Sequence, residues 1–245
     1  MKSRREIKQG AKRQIRGSIF MLFLISLLWM LLTTALVGGS MFLLGRGVFN
    51  SIIAVDWEAI GLNWQLWLET LANLAVDIAA MLSVTLGVTW ILSMLLGAFR
   101  EWSVTANLNR MYNGKKAGFG AGFSGFARPW SAFSTSFMRG LFMFLWMLIP
   151  IVGFIIVIVK TYSYACAMYV RQDDGGGAVG AITTSRRLMA GRKWKLFVQD
   201  LSFIGWFLLS ILTLGILFIW TIPYYNQARY NFYKAAKEAG PIGRR

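Results

Sequence analysis

Long apolar runs separated by short basic stretches set the plan of this chain. Ser18 to Gly45 carries no charge, Thr70 to Phe99 only Asp77, Leu141 to Val170 only Lys160, and Trp194 to Tyr233 only Lys195, Asp200 and Arg229. A helix rises about 1.5 Å per residue and the hydrocarbon core is about 30 Å thick, so roughly 20 residues make one crossing. The first two runs suit one helix each. As one helix the last run would be about 60 Å long, so it is expected to fold back. Thr213-Leu214-Gly215 is the turn-tolerant cluster near its middle, and Pro150 to Gly153 breaks the third run in the same way. The pattern predicts an all-α membrane protein with six transmembrane helices, at about 18–45, 70–99, 133–149, 151–170, 195–213 and 216–235. They form a domain over 18–238, with a basic segment at 1–17 and a basic tail at 239–245.

Charge orients the plan. Lys2, Arg4, Arg5, Lys8, Lys12, Arg13 and Arg16 precede the first run against Glu6, while Arg46 to Glu69 holds one basic residue and Asp56, Glu58 and Glu69. Cytoplasmic loops carry the excess of Lys and Arg. With the third and fourth runs as hairpins, both termini are cytoplasmic, and all 26 basic residues except Arg46 and Lys160 lie in the inner segments. A four-span alternative would put the loop bearing Arg171, Arg186, Arg187, Arg192, Lys193 and Lys195 outside, against that bias.

Shorter patterns fill in the joints. Ile7, Ala11 and Ile15 recur at helical spacing, which fits a short helix lying on the headgroups as well as a solvated tail. Trp57, Ile60, Trp64 and Trp67 share one helical face, expected to lie on the outer leaflet or to offer an aromatic patch to a partner protein. Phe119, Phe123, Phe126 and Trp130 recur among glycines in GFGAGFSGFARPW, an interfacial elbow. It lacks a phosphate-loop lysine, and Phe126 spoils a G-x-S-x-G elbow. Interfacial elbow helices are expected between helix pairs.

Composition narrows the chemistry. Hydrophobic residues make up 56% of the chain, and the net charge of +16 lies between apolar runs, where it sets orientation and attracts anionic lipid rather than nucleic acid. Cys166 is the single cysteine, and histidine is absent. No disulfide, cysteine metal site or imidazole chemistry is therefore expected, nor any cofactor or catalytic residue. The chain does not read as an enzyme.

Charges at membrane depth are costly and are paired or functional. Asp200 and Arg229 stand at similar distances either side of the turn near Leu214, and are expected to pair near the inner interface. Lys160 would lie near mid-bilayer, either coupled to Asp77 or snorkelling towards the surface. Arg186, Arg187, Arg192, Lys193 and Lys195 are expected to meet lipid headgroups. The two hairpins also align weakly, Gly153 with Gly215 and Tyr162 with Tyr224.

Longer stretches carry a resemblance. The run Ala181-Ile-Thr-Thr-Ser-Arg-Arg-Leu-Met-Ala-Gly191, then KWKLFVQDLSFIGW, LTLG, Pro223-Tyr224 and Asn231-Phe232-Tyr233 resemble a bacterial integral-membrane family catalogued as domain of unknown function 975. The opening Lys2 to Lys12, LWMLIP and Lys160-Thr-Tyr-Ser-Tyr164 resemble it too. Ile151-Val152 separates Pro150 from Gly153 where that family more often has them adjacent, and Leu217 stands where a second glycine is common. The resemblance implies a multi-pass protein of the bacterial plasma membrane and assigns no functional residue. The expected function is a non-enzymatic membrane protein binding anionic inner-leaflet lipid or partner proteins, with a second copy of itself also open as a partner. The alternative is a small transporter or exporter component using Asp77 and Lys160.

Overall fold

A computed structural model describes residues 1–56, 58, 63–149 and 152–240, with Val152 described by its backbone alone. Every regular element among them is an α-helix: α1 (Arg4–Gln14), α2 (Ile19–Ile53), α3 (Trp64–Tyr112), α4 (Phe119–Gly122), α5 (Ser124–Ala127), α6 (Pro129–Met147), α7 (Val152–Tyr164), α8 (Ala167–Asp174), α9 (Ala178–Met189), α10 (Lys193–Leu201), α11 (Ile204–Leu212) and α12 (Phe218–Glu238). Their contacts divide the chain into two compact units, Leu27–Gly97 and Met1–Ser26 with Ala98–Arg245.

The unit 27–97 holds most of α2 and the first part of α3. These helices have 35 and 49 residues, about 52 and 74 Å of rise. They swallow the expected spans 18–45 and 70–99 and run well past both. Large apolar side chains are exposed on all sides, Leu31, Phe42, Phe49, Val76, Val84 and Trp90 among them, as helices facing acyl chains require. Trp64 and Trp67 open α3 instead of lying on a separate interfacial helix. Trp57 and Ile60, expected on the same face, lie outside the described residues.

The other unit is built around α12. Its Tyr224, Ala228, Tyr230, Phe232, Tyr233 and Ala235 are buried, and α1, α9, α10 and α11 all pack on it. α1 forms because Ser3 and Glu6 close a capping box and Lys12 and Arg13 occupy the last turn. Its stripe of Ile7, Ala11 and Ile15 is buried in the core that α12 centres, so the helical reading of this segment holds against the tail. Gly125 of GFGAGFSGF serves packing: a Cβ there would stand 2.2 Å from the Phe99 carbonyl oxygen, so only glycine lets α5 approach α3.

Both hairpins exist in this unit. α6 packs on α7, with the Pro150-Ile151 part of the turn outside the described residues. α11 packs antiparallel to α12, with Ser210 Oγ 3.1 Å from Thr221 Oγ1 and the Trp206 and Trp220 ring centroids 4.8 Å apart. The turn falls where expected, with Leu214 at φ 51° and Gly215 at φ 88°. Two helical stretches are interrupted, however: α7 yields to α8 at Ala165-Cys166, and α10 to α11 at Ser202-Phe203.

Four helical stretches are long and apolar enough to cross a membrane: Ile19–Ile53, Trp64–Tyr112, Gly153–Asp174 and Lys193–Leu212. The stretches 133–149 and 216–235, also expected as spans, are not among them. In α12 the reason is composition, since Asn226, Gln227, Arg229, Asn231 and Lys234 make its second half polar, and Gln227 and Asn231 are buried against α1, with Gln227 Nε2 donating to Gln14 Oε1 at 3.0 Å and Asn231 Nδ2 to the Ile7 carbonyl at 3.3 Å.

Candidate functional site

α9 buries Ala181, Ile182, Ser185, Leu188 and Met189, a helical stripe that leaves Arg186 and Arg187 on the open side. The chain then turns at Gly191, φ 68°, and α10 brings Lys193 to the same side. Together with α7 they enclose a groove of about 400 Å³ lined by Lys160, Ser163, Thr183, Arg186, Arg187, Ala190 and Lys193. The lining holds four cations and no carboxylate. Lys160 also rests on an indole, its Nζ 4.3 Å from the Trp146 ring centroid.

Basic grooves also flank α1. Arg4, Arg5, Lys8 and Lys12 line one of about 320 Å³ with Gln9, Ser202 and Tyr224. Lys195 lines another of about 490 Å³ with Lys2, Arg4, Trp194 and Gln199. Burial first, and then the nearby Arg4 charge, push the Lys8 ammonium below its ordinary range. α1 was expected at the headgroups, but its Lys8 and Lys12 were not singled out. The groove they line becomes visible only once α1 is docked on the hairpin.

Of the five elbow cations expected at lipid headgroups, Arg186, Arg187 and Lys195 are exposed and Lys193 is half-buried. Arg192 departs from the expectation. It is 4% exposed, and its guanidinium donates to the carbonyls of Leu188 at 2.9 Å, Ala236 at 3.3 Å and Gly240. Those carbonyls end α9 and α12, so Arg192 satisfies helix C-termini and is taken out of the headgroup set.

Asp200 and Arg229 are brought together, Nε standing 3.8 Å from Oδ1, an ionic contact longer than a hydrogen bond. Arg229 Nη1 donates to Tyr225 Oη at 3.1 Å. Asp77 is exposed on α3 within the unit 27–97. Further ion pairs went unread in the sequence. Arg139 grips Glu101 with two bonds of 2.6 Å, and Asp173 meets Lys234 at 2.6 Å and Lys237 at 3.4 Å. Asp173 and Asp174 are the sole acids of a basic loop, a signal that could have marked them as partners of distant lysines.

Residues 158–240 match the family described as protein of unknown function (DUF975). The match takes in 83 of the 245 residues. No curated protein and no solved structure matches the chain. The matched segment runs from late α7 to the end of α12, so it contains every cation of the α7–α9–α10 groove, together with Asp200, Arg229 and the buried Arg192. α1 and Asp77 lie outside it.

Proposed function

We propose that this protein is a non-enzymatic, multi-pass membrane protein of the bacterial plasma membrane that holds anionic phospholipid in its α7–α9–α10 groove. The observation that carries this reading is the lining itself: Lys160, Arg186, Arg187 and Lys193 share one groove of about 400 Å³ without an acid. Convergent cations repel unless an anion joins them, and a phosphodiester supplies the charge and the acceptor oxygens that arginine and lysine suit. Each basic residue at the surface adds about 1 kcal/mol of attraction to an anionic leaflet. The positive-inside bias puts the groove, α1 and both termini on the cytoplasmic side in this reading. The place of Lys160 in the basic groove supports the lipid role over an ion-coupling role with Asp77.

The test is lipid retention. Native mass spectrometry of purified protein mixed with equal phosphatidylglycerol and phosphatidylcholine is expected to show preferential phosphatidylglycerol adducts. Each of Lys160→Gln, Arg186→Gln, Arg187→Gln and Lys193→Gln is expected to weaken them by about fivefold. Adducts without headgroup preference, or an unaltered preference in the fourfold variant, would overturn the proposal.

A further inference from the structure

We infer that the α11–α12 hairpin is a wedge that enters only the leaflet on the α1 side, its turn at Leu214 lying near the bilayer midplane and its sides held by acyl chains. The inference rests on the membrane reading above and replaces two crossings with one shallow insertion.

Depth comes first. The exposed apolar surface runs from Ile204 through Leu208, Ile211, Leu212, Leu214 and Ile216 to Ile222. From Ile204 to the tip is about 15 Å of helix rise, half of the roughly 30 Å hydrocarbon core. The cations that bound this surface fix the same depth. Lys8 Nζ lies 4.3 Å from the Phe203 ring centroid and donates to Ser202 Oγ at 3.1 Å, while Lys12 Nζ lies 6.0 Å from the Trp220 ring centroid. α1 continues along α12 from there, Asn231 Nδ2 donating to the Ile7 carbonyl at 3.3 Å and Lys2 Nζ standing 3.1 Å from Glu238 Oε2, while Arg4 and Arg5 line the groove at the hairpin base with Ser202 and Tyr224. Were the hairpin to span both leaflets, α1 and its cations would be drawn into hydrocarbon.

The turn is built for hydrocarbon. Its most exposed residue, Leu214 at 94%, has φ 51°, a conformation that asparagine or glycine adopts at lower cost and that a turn facing water would assign to them. Each backbone N–H from Thr213 to Phe218 finds an acceptor within the hairpin: Leu209 O, Ile211 O, Ser210 O, Thr213 O, Thr213 Oγ1 and Gly215 O, at 2.8 to 3.3 Å. Lipid demands such closure, whereas water would supply partners of its own. Aromatic placement agrees. Trp206, Trp220, Tyr224 and Tyr225 cluster at the base, and no Trp or Tyr lies between Trp206 and Trp220, whereas a crossing hairpin has an aromatic belt at both interfaces. The α6–α7 hairpin repeats the proportions: Arg139 is about 14 Å of rise before Leu148, and Lys160 about 12 Å after Val152.

The experiment places a nitroxide on Leu214→Cys and, separately, on Leu208→Cys in protein reconstituted into liposomes. The parent, whose Cys166 is buried, serves as the unlabelled blank. Collisional relaxation by oxygen against a water-soluble nickel chelate is expected to put residue 214 near the midplane and residue 208 about 9 Å shallower. Residue 214 should also resist a membrane-impermeant maleimide from either side of intact cells and inverted vesicles. Reaction of Leu214→Cys from the outer side would restore two crossings, and reaction from the α1 side would place the tip in water; either overturns the inference. The phosphatidylglycerol preference is read separately, so the failure of one proposal is distinguishable from failure of the other.

Discussion

The hydroxyl of Ser185 accepts the Cys166 N–H at 3.2 Å and donates to the Ser163 carbonyl at 2.8 Å. One side chain of α9 thus closes the break between α7 and α8 that would leave buried backbone groups unpaired. Ser185→Ala is expected to cost about 1–3 kcal/mol, because both groups stay buried without a partner. A thermal unfolding series in detergent checks this, with Ser136→Ala, whose hydroxyl meets only part-buried Glu101, as the milder comparison.

Gly125 and Gly120 provide a matched pair. A Cβ at 125 would collide with the Phe99 backbone, while one at 120 meets nothing within 4 Å. Gly125→Ala is expected to destabilise by about 1–3 kcal/mol or more, and Gly120→Ala to leave the melting temperature nearly unchanged. Equal effects would mean that α5 does not press on α3 as described.

Arg192 and Arg187 separate stability from binding. Arg192→Gln removes charged donors from helix-end carbonyls and is expected to lower stability by about 1.5–3 kcal/mol. Arg187→Gln, exposed at the groove, is expected to weaken lipid retention and leave the melting temperature within about 1 kcal/mol of the parent. Melting curves and adduct counts on both variants decide the assignment.

The Lys2 hydrogen bond, aided by the Tyr112 hydroxyl, holds the Glu238 carboxyl below the usual glutamate range. A carboxylate depressed in the folded state stabilises above its ordinary pKa, and that contribution is lost as pH falls through the folded value. Hydrogen exchange in α1 is therefore expected to speed up as pH drops below about 4, after correction for intrinsic rates. Glu238→Gln should reduce this pH dependence. The pair is exposed, so the effect is small and should shrink further at high salt.

Much of this arrangement can be read in the sequence because it depends on local pattern. The Ile7, Ala11, Ile15 stripe, the Leu214-Gly215 turn and the Asp200–Arg229 pair follow from period, turn chemistry and symmetric distance about a turn. The nature of α12 does not. The apolar opening FIWTI and the aromatic residues of FIWTIPYYNQARYNFY suggest a span, but its lower half is polar at Asn226, Gln227, Arg229 and Asn231 and is covered by α1, more than 200 residues earlier in the chain. Hydropathy cannot distinguish a side chain covered by protein from one covered by lipid. Arg192 was misread for a related reason: its carbonyl partners at Ala236 and Gly240 arrive only when α12 closes on the elbow. The Gly125 contact is likewise a tertiary approach that a glycine-rich string does not specify.

The groove is tested most directly by a phosphatidylglycerol analogue with a photoreactive headgroup, crosslinked in reconstituted membranes and mapped by peptide sequencing. Crosslinks concentrated on the peptides bearing Lys160 and Arg186 to Lys193, and competed away by phosphatidylglycerol but not by phosphatidylcholine, are the predicted result. Crosslinks scattered over the basic surface, or equally competed by phosphatidylcholine, would contradict it.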